Sequence, residues 1–67
     1  MNELFYRVVT NFRYSDIDFY RDYSDFGTAC NVYEMVKSHL IKGESVRLEV
    51  YLNGVFVRGY GYKCKGA

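Results

Sequence analysis

Proline is absent from this 67-residue chain, histidine occurs once and cysteine twice, and neither sign of charge prevails: nine Lys and Arg oppose eight Asp and Glu, for a net +1. Each shortage excludes something. Without proline, low-complexity runs or internal repeats there is no linker, so residues 1–67 read as a single domain. Near-neutral charge removes the long-range field that a nucleic-acid coat protein or a membrane-surface binder uses, leaving only local patches. No run approaches the ~18 apolar residues of a membrane span. Met1-Asn2-Glu3 is acidic where a signal peptide is basic, so the expected location is cytoplasmic, with no membrane partner.

Catalytic and metal-binding constellations are equally scarce. His39 is the lone histidine, and its helical phase puts it at the edge of an apolar stripe, where a solvated or boundary residue is expected. No Ser, His and Asp set and no nucleophile elbow is legible. Asp16, Asp18, Asp22 and Asp25 are spaced loosely like a calcium loop, yet Tyr20 and Arg21 stand where such a loop needs a ligand and a glycine. A non-enzymatic chain without metal or cofactor is therefore expected.

What the chain has in abundance is aromatic rings, eight Tyr and five Phe. So many rings cannot all hide beneath one helix in so small a domain, so several must be exposed. The clearest local pattern is Val46-Arg47-Leu48-Glu49-Val50-Tyr51-Leu52, which alternates cleanly and runs into Asn53-Gly54. Asn-Gly tolerates the positive φ of a type I′ turn, and Val55-Phe56-Val57 resumes strand character, so a two-residue β-hairpin is predicted. An unbroken ladder pairs Leu52 with Val55, Val50 with Val57, Leu48 with Gly59 and Val46 with Gly61 on the core face. Tyr51 then meets Phe56, Glu49 meets Arg58 and Arg47 meets Tyr60 on the other face, with Tyr62 beyond.

A helix is predicted over 26–42, because Phe26, Ala29, Tyr33, Val36 and Leu40 recur at three- and four-residue steps, flanked by Val32, Cys30 and Ile41. Met35 falls outside the stripe. Ser24 or Asp25 can cap the start, and Lys42 and Gly43 suit the end. The segment from Leu4 to Phe12 reads as a strand. Residues 13–23 stay open between an irregular loop and a further strand near 17–23, since Asp16, Asp18 and Asp22 are poor strand residues. The fold class is accordingly α+β: a small, largely antiparallel sheet with one helix packed on one face, β-α-β-β, or β-β-α-β-β with the extra strand. The other sheet face has nothing to cover it.

Cys30 and Cys64 form no CxxC pair. Helix and hairpin directions separate them by about 15 Å, against a disulfide limit of about 7 Å, so both are expected as free thiols in a reducing compartment.

The run Arg58-Gly59-Tyr60-Gly61-Tyr62 resembles the RNP1 element of RNA-recognition motif domains, in which a basic residue and glycines alternate with aromatics that stack on bases. The likeness covers these five residues. It implies stacking roles for Tyr60 and Tyr62.

Two functions follow as expectations. One is a non-catalytic protein-binding module, of the size and composition of small phage accessory or inhibitory proteins. It would act through the aromatic sheet face, a sheet edge or the acidic-aromatic stretch from Tyr14 to Phe26. The other is a single-stranded RNA or DNA binder using stacked tyrosines and Arg47, Arg58, Lys63 and Lys65. In either case the expected site is Arg47, Tyr51, Phe56, Arg58, Tyr60 and Tyr62. A core this small, beside an open face and unpaired edges, also predicts a homodimer.

Overall fold

The computed structural model describes residues 3–12 and 18–65. Its elements follow in the order β1 (Leu4–Asn11), β2 (Phe19–Tyr23), α1 (Phe26–His39), β3 (Ser45–Leu52) and β4 (Val55–Lys63). The chain is thus α+β with the order β-β-α-β-β. Of the two readings of residues 13–23, a strand holds for Phe19–Tyr23, despite Asp22 within it. Residues 13–17, with Ile17 and the start of the acidic stretch, lie outside the described residues.

The strands form one antiparallel sheet in the order β2-β1-β3-β4. β1 lies inside the sheet because its β-branched centre can pair on both sides. Val8 faces Arg21 on β2 and Leu48 on β3. Alternation along β1 and β3 then sorts two faces. Tyr6, Val8, Thr10, Val46, Leu48 and Val50 turn toward α1, while Phe5, Arg7, Val9, Arg47, Glu49 and Tyr51 turn away.

Helix α1 packs across the first of these faces. Ala29 and Tyr33 are buried with Val8, Val46 and Leu48, and Tyr6, Tyr23, Cys30, Val32, Val36 and Leu40 pack around them. Leu48 and Val46 are the most deeply buried large side chains. Phe26 and Ile41, at the two ends of the predicted stripe, are exposed, as is Met35. Asp25 is the N-cap: its carboxylate accepts from the Thr28 backbone N–H at 2.8 Å and from the Thr28 hydroxyl at 2.9 Å.

The helix ends at His39 rather than at Lys42, because Leu40 turns extended (φ −70°, ψ 144°) to reach the core. A turn from Ile41 to Glu44 follows. The Glu44 carboxylate accepts from the Ile41 N–H at 2.9 Å, and the Glu44 N–H donates to the Ile41 carbonyl at 3.0 Å. Gly43, at φ 93°, serves this turn and not the helix terminus.

The hairpin turn forms as predicted, with Asn53 at φ 53° and Gly54 at φ 81°. Leu52 faces Val55 and Tyr51 faces Phe56. One step later the ladder departs from the unbroken pairing. Val50 faces Arg58, so Val57 is a bulge without a partner and every later residue of β4 changes face. Leu48 therefore faces Tyr60 and Val46 faces Tyr62, while Glu49 faces Gly59 and Arg47 faces Gly61.

The bulge exchanges two glycines for two tyrosines on the helix side. Tyr60 meets Tyr33 edge-on at 5.2 Å, and the Lys37 ammonium stands 4.9 Å above the Tyr62 ring. Partial burial of each ring favours this arrangement by roughly 1–2 kcal/mol, which an unbroken ladder with glycine there would forgo. The glycines instead permit close approach of β3. A Cβ at Gly59 would lie 2.9 Å from the Leu48 carbonyl oxygen, and one at Gly61 would lie 2.9 Å from Arg47 Cβ.

Candidate functional site

No described element covers the sheet face opposite α1, and its side chains form a connected aromatic and ionic layer. Phe5 and Tyr51 are cross-strand neighbours whose rings stack at 5.0 Å and 1°. Phe56 meets Tyr51 edge-on at 5.8 Å and leans over Gly59. Arg7, one pleat along β1 from Phe5, holds its guanidinium 4.3 Å from the Tyr20 ring centre, 4.8 Å from Tyr51 and 5.6 Å from Phe5. The same guanidinium grips Asp22 through two bonds of 2.7 and 3.1 Å. Arg7 is thus the hub that joins three strands.

A second charged chain runs beside it. Arg47 donates to Glu49 at 2.8 Å and reaches Asp18 at 3.4 Å. The Tyr51 hydroxyl donates to Glu49 at 2.9 Å, and the Asn11 amide donates to Asp18 at 2.8 Å.

The protonation equilibria follow from these bonds. The Asp22 carboxylate, chiefly through its hydrogen bonds, holds Arg7 further into its charged form, against the opposing effect of burial. Glu49 does the same for Arg47, and it raises the Tyr51 hydroxyl because the proton is needed for the bond between them. Asp18 is lowered, first by the Asn11 amide and then by Arg47. Among the described residues no three His, Cys, Asp or Glu side chains converge as a metal site.

Of the six residues singled out from sequence, the structure brings Arg47, Tyr51 and Phe56 together on this open face. Arg58, Tyr60 and Tyr62 are corrected to the helix side by the bulge at Val57. The expected contacts of Glu49 with Arg58 and of Arg47 with Tyr60 are replaced by Glu49 with Arg47 and Tyr51, because those partners occupy the same face. Tyr60 and Tyr62 therefore lie against α1, not on the open face where the RNP1 resemblance would need them.

The sequence reading missed Phe5, Arg7 and Tyr20. The signal for Phe5 and Arg7 was present, since both alternate with Tyr6 and Val8 on a strand. Tyr20 became assignable only once β2 was seen to pair with β1.

A second feature lies on the helix side, where β1, β3 and β4 project beyond the first turn of α1. Leu4, Tyr6, Phe26, Leu52, Val57 and Arg58 border an open concavity of about 450 Å³ there. Cys30 and Cys64 are unpaired, half-buried thiols: Cys30 lies beside Tyr60, while the backbone of Cys64 is bonded to Gly43 and Glu44. No described helix is long and apolar enough to cross a membrane. Comparison with protein-family models, curated proteins and solved structures finds no match for the chain.

Proposed function

We propose that the chain is a non-catalytic protein-binding module whose contact surface is the uncovered sheet face around Phe5, Arg7, Tyr51 and Phe56. The observation that carries this reading is the coplanar Phe5–Tyr51 stack with Phe56 set edge-on against it, lying outside the helix-covered core. Rings held this way lose little side-chain freedom on contact, and Arg with Tyr and Phe is the composition of protein interface centres. Net charge of +1 supplies little of the phosphate attraction on which nucleic-acid binding depends.

The test is capture from cell lysate with and without nuclease, using the wild-type chain beside Phe5→Ser/Phe56→Ser. Retention of a discrete protein after nuclease, lost in the double variant, supports the reading. Loss of every partner on nuclease treatment, with binding of labelled oligo(dT) by the wild-type chain, would replace it with single-stranded nucleic-acid binding.

A further inference from the structure

The two edges of the sheet differ in length, charge and use of their side chains. β2 spans five residues, and Asp22 within it is bound to Arg7. β4 spans nine, all of them exposed, and pairs with β3 alone, so among the described residues the outer side of its ladder has no strand neighbour. Edge strands of this length are ordinarily blunted by proline, by inward charge or by bulges along their run. The bulge at Val57 and the inward charge of Arg58 lie near the hairpin turn and Lys63 lies at the far end, so the regular stretch from Gly59 to Tyr62 between them carries none of these devices.

Charge along this edge has one sign. β4 carries Arg58 and Lys63, Lys65 follows, and no acidic residue lies on the strand. None of the three cations has an ion-pair partner among the described residues. The neighbouring carboxylate, Glu49, is engaged by Arg47 and Tyr51. Lys37 adds a further cation above the Tyr62 ring.

Shape gives the remaining terms. On the open side Gly59 and Gly61 floor a hollow of about 290 Å³ walled by Arg47, Glu49 and Phe56. A large side chain from an adjacent strand would lean diagonally into it. On the helix side Tyr60 and Tyr62 each leave two-fifths or more of their surface exposed, at 53% and 41%.

We infer that the outer edge of β4 accepts an extended, acidic segment of a partner protein as a fifth antiparallel or parallel strand. Backbone bonds supply affinity in such strand addition, and alternate side chains supply selection. The segment carries carboxylates for Arg58 and Lys63 and a large apolar side chain for the hollow over Gly59 and Gly61. Proline at its ladder-bonded positions is excluded. This deepens the protein-binding reading and rests on it.

A second copy of the chain fits less well. Pairing of β4 with β4 would set two rows of cations along one ladder. Pairing of β4 with β2 would offer it Asp18 and Asp22, which Arg47, Asn11 and Arg7 already hold.

The test uses fluorescein-labelled synthetic peptides as long as β4, of Val with one Phe and with two Glu five residues apart, one on each face, because Arg58 and Lys63 lie on opposite faces of the strand; it reads anisotropy and amide chemical shifts of the intact chain. Saturable binding is expected, with the largest shifts over residues 58–63. Arg58→Glu/Lys63→Glu should weaken it by about tenfold or more, with the melting curve retained. A peptide of the same sequence, N-methylated at consecutive residues through its centre, keeps the charges but has both strand edges blocked, so it cannot complete the ladder and should not bind.

Equal binding of the methylated peptide would reduce the effect to surface charge and overturn the inference. So would preference for a Lys-for-Glu peptide, or a β4-mediated dimer that the acidic peptide fails to dissociate. A lysate partner that the Phe5→Ser/Phe56→Ser variant loses, in a chain that ignores the acidic peptide, would overturn the edge site while preserving the proposed function. Absence of both would remove the two together.

Discussion

Val50 lies opposite Arg58 while its neighbour Tyr51 lies opposite Phe56, so Val57 has no cross-strand partner and Tyr60 and Tyr62 lie on the helix side of the sheet, beside α1. The first prediction follows from that offset. Tyr60→Ser with Tyr62→Ser should destabilise the fold by about 1–3 kcal/mol, through loss of the edge-on contact with Tyr33 and the Lys37 contact. Urea unfolding followed by circular dichroism measures it. An unchanged midpoint would mean that the tyrosines face solvent and that the ladder has no bulge.

Gly59→Val makes the complementary case. Its Cβ would press on the Leu48 carbonyl oxygen of β3, on the side away from α1. Amide exchange should therefore accelerate along β3 and β4 before it does so in the helix. Faster exchange in α1 first would place Gly59 under the helix.

The hairpin, the helix and the first strand were legible because each rests on local chemistry: alternation from Val46 to Leu52, Asn53-Gly54 at positive φ, and the stripe through Ala29 and Tyr33. What escaped was set by competition between distant residues. Val57 is bulged because tyrosines fill the space beside Tyr33 better than glycines do, and nothing in residues 55–57 alone announces it. Asp22 sits in a strand because Arg7 holds its carboxylate, a contact between residues fifteen positions apart. Half of the candidate site was therefore assigned to the right face, and the half beyond the bulge to the wrong one.

Asp25 gives a pH-dependent prediction. Its bonds from the Thr28 N–H, and secondarily from the Thr28 hydroxyl, hold the carboxyl below its ordinary value in the folded chain. A carboxyl lowered by folding contributes stability above its unfolded pKa of about 4, and the contribution fades as pH falls through the lower folded value. Asp25→Ala should thus melt below the wild type at neutral pH, and the two curves should converge in acid. Equal melting at pH 7 would show that the cap contributes nothing.

Leu48 is wholly buried, with Val8, Val46 and Tyr33 in the same cluster. Leu48→Ala should cost about 2–5 kcal/mol, comparable with the entire stability of a domain this small. The variant is expected to be largely unfolded by near-ultraviolet circular dichroism, whereas Met35→Ala, on the exposed side of α1, should fold like the parent. A well-folded Leu48→Ala would contradict the position of the core.

Arg7 carries the last prediction, because it links stability of the open face to its use. Its fork binds both oxygens of Asp22 and its flat surface lies against Tyr20 and Tyr51. Lysine keeps the charge but offers neither the paired donors nor the planar stack. The site is partly exposed, with 26% of the Arg7 side chain accessible, so water screens the ion pair. Arg7→Lys should accordingly cost only about 0.5–1 kcal/mol, and Arg7→Gln about 1–2. A double-mutant cycle with Asp22→Asn isolates the pair, whose coupling should shrink in molar salt, whereas the ring contacts should persist. Because the rings lose their shared anchor in both variants, partner binding should fall more than stability does. Binding that tracks the melting midpoint alone would show that the aromatic layer is scaffold and that the contact surface lies elsewhere.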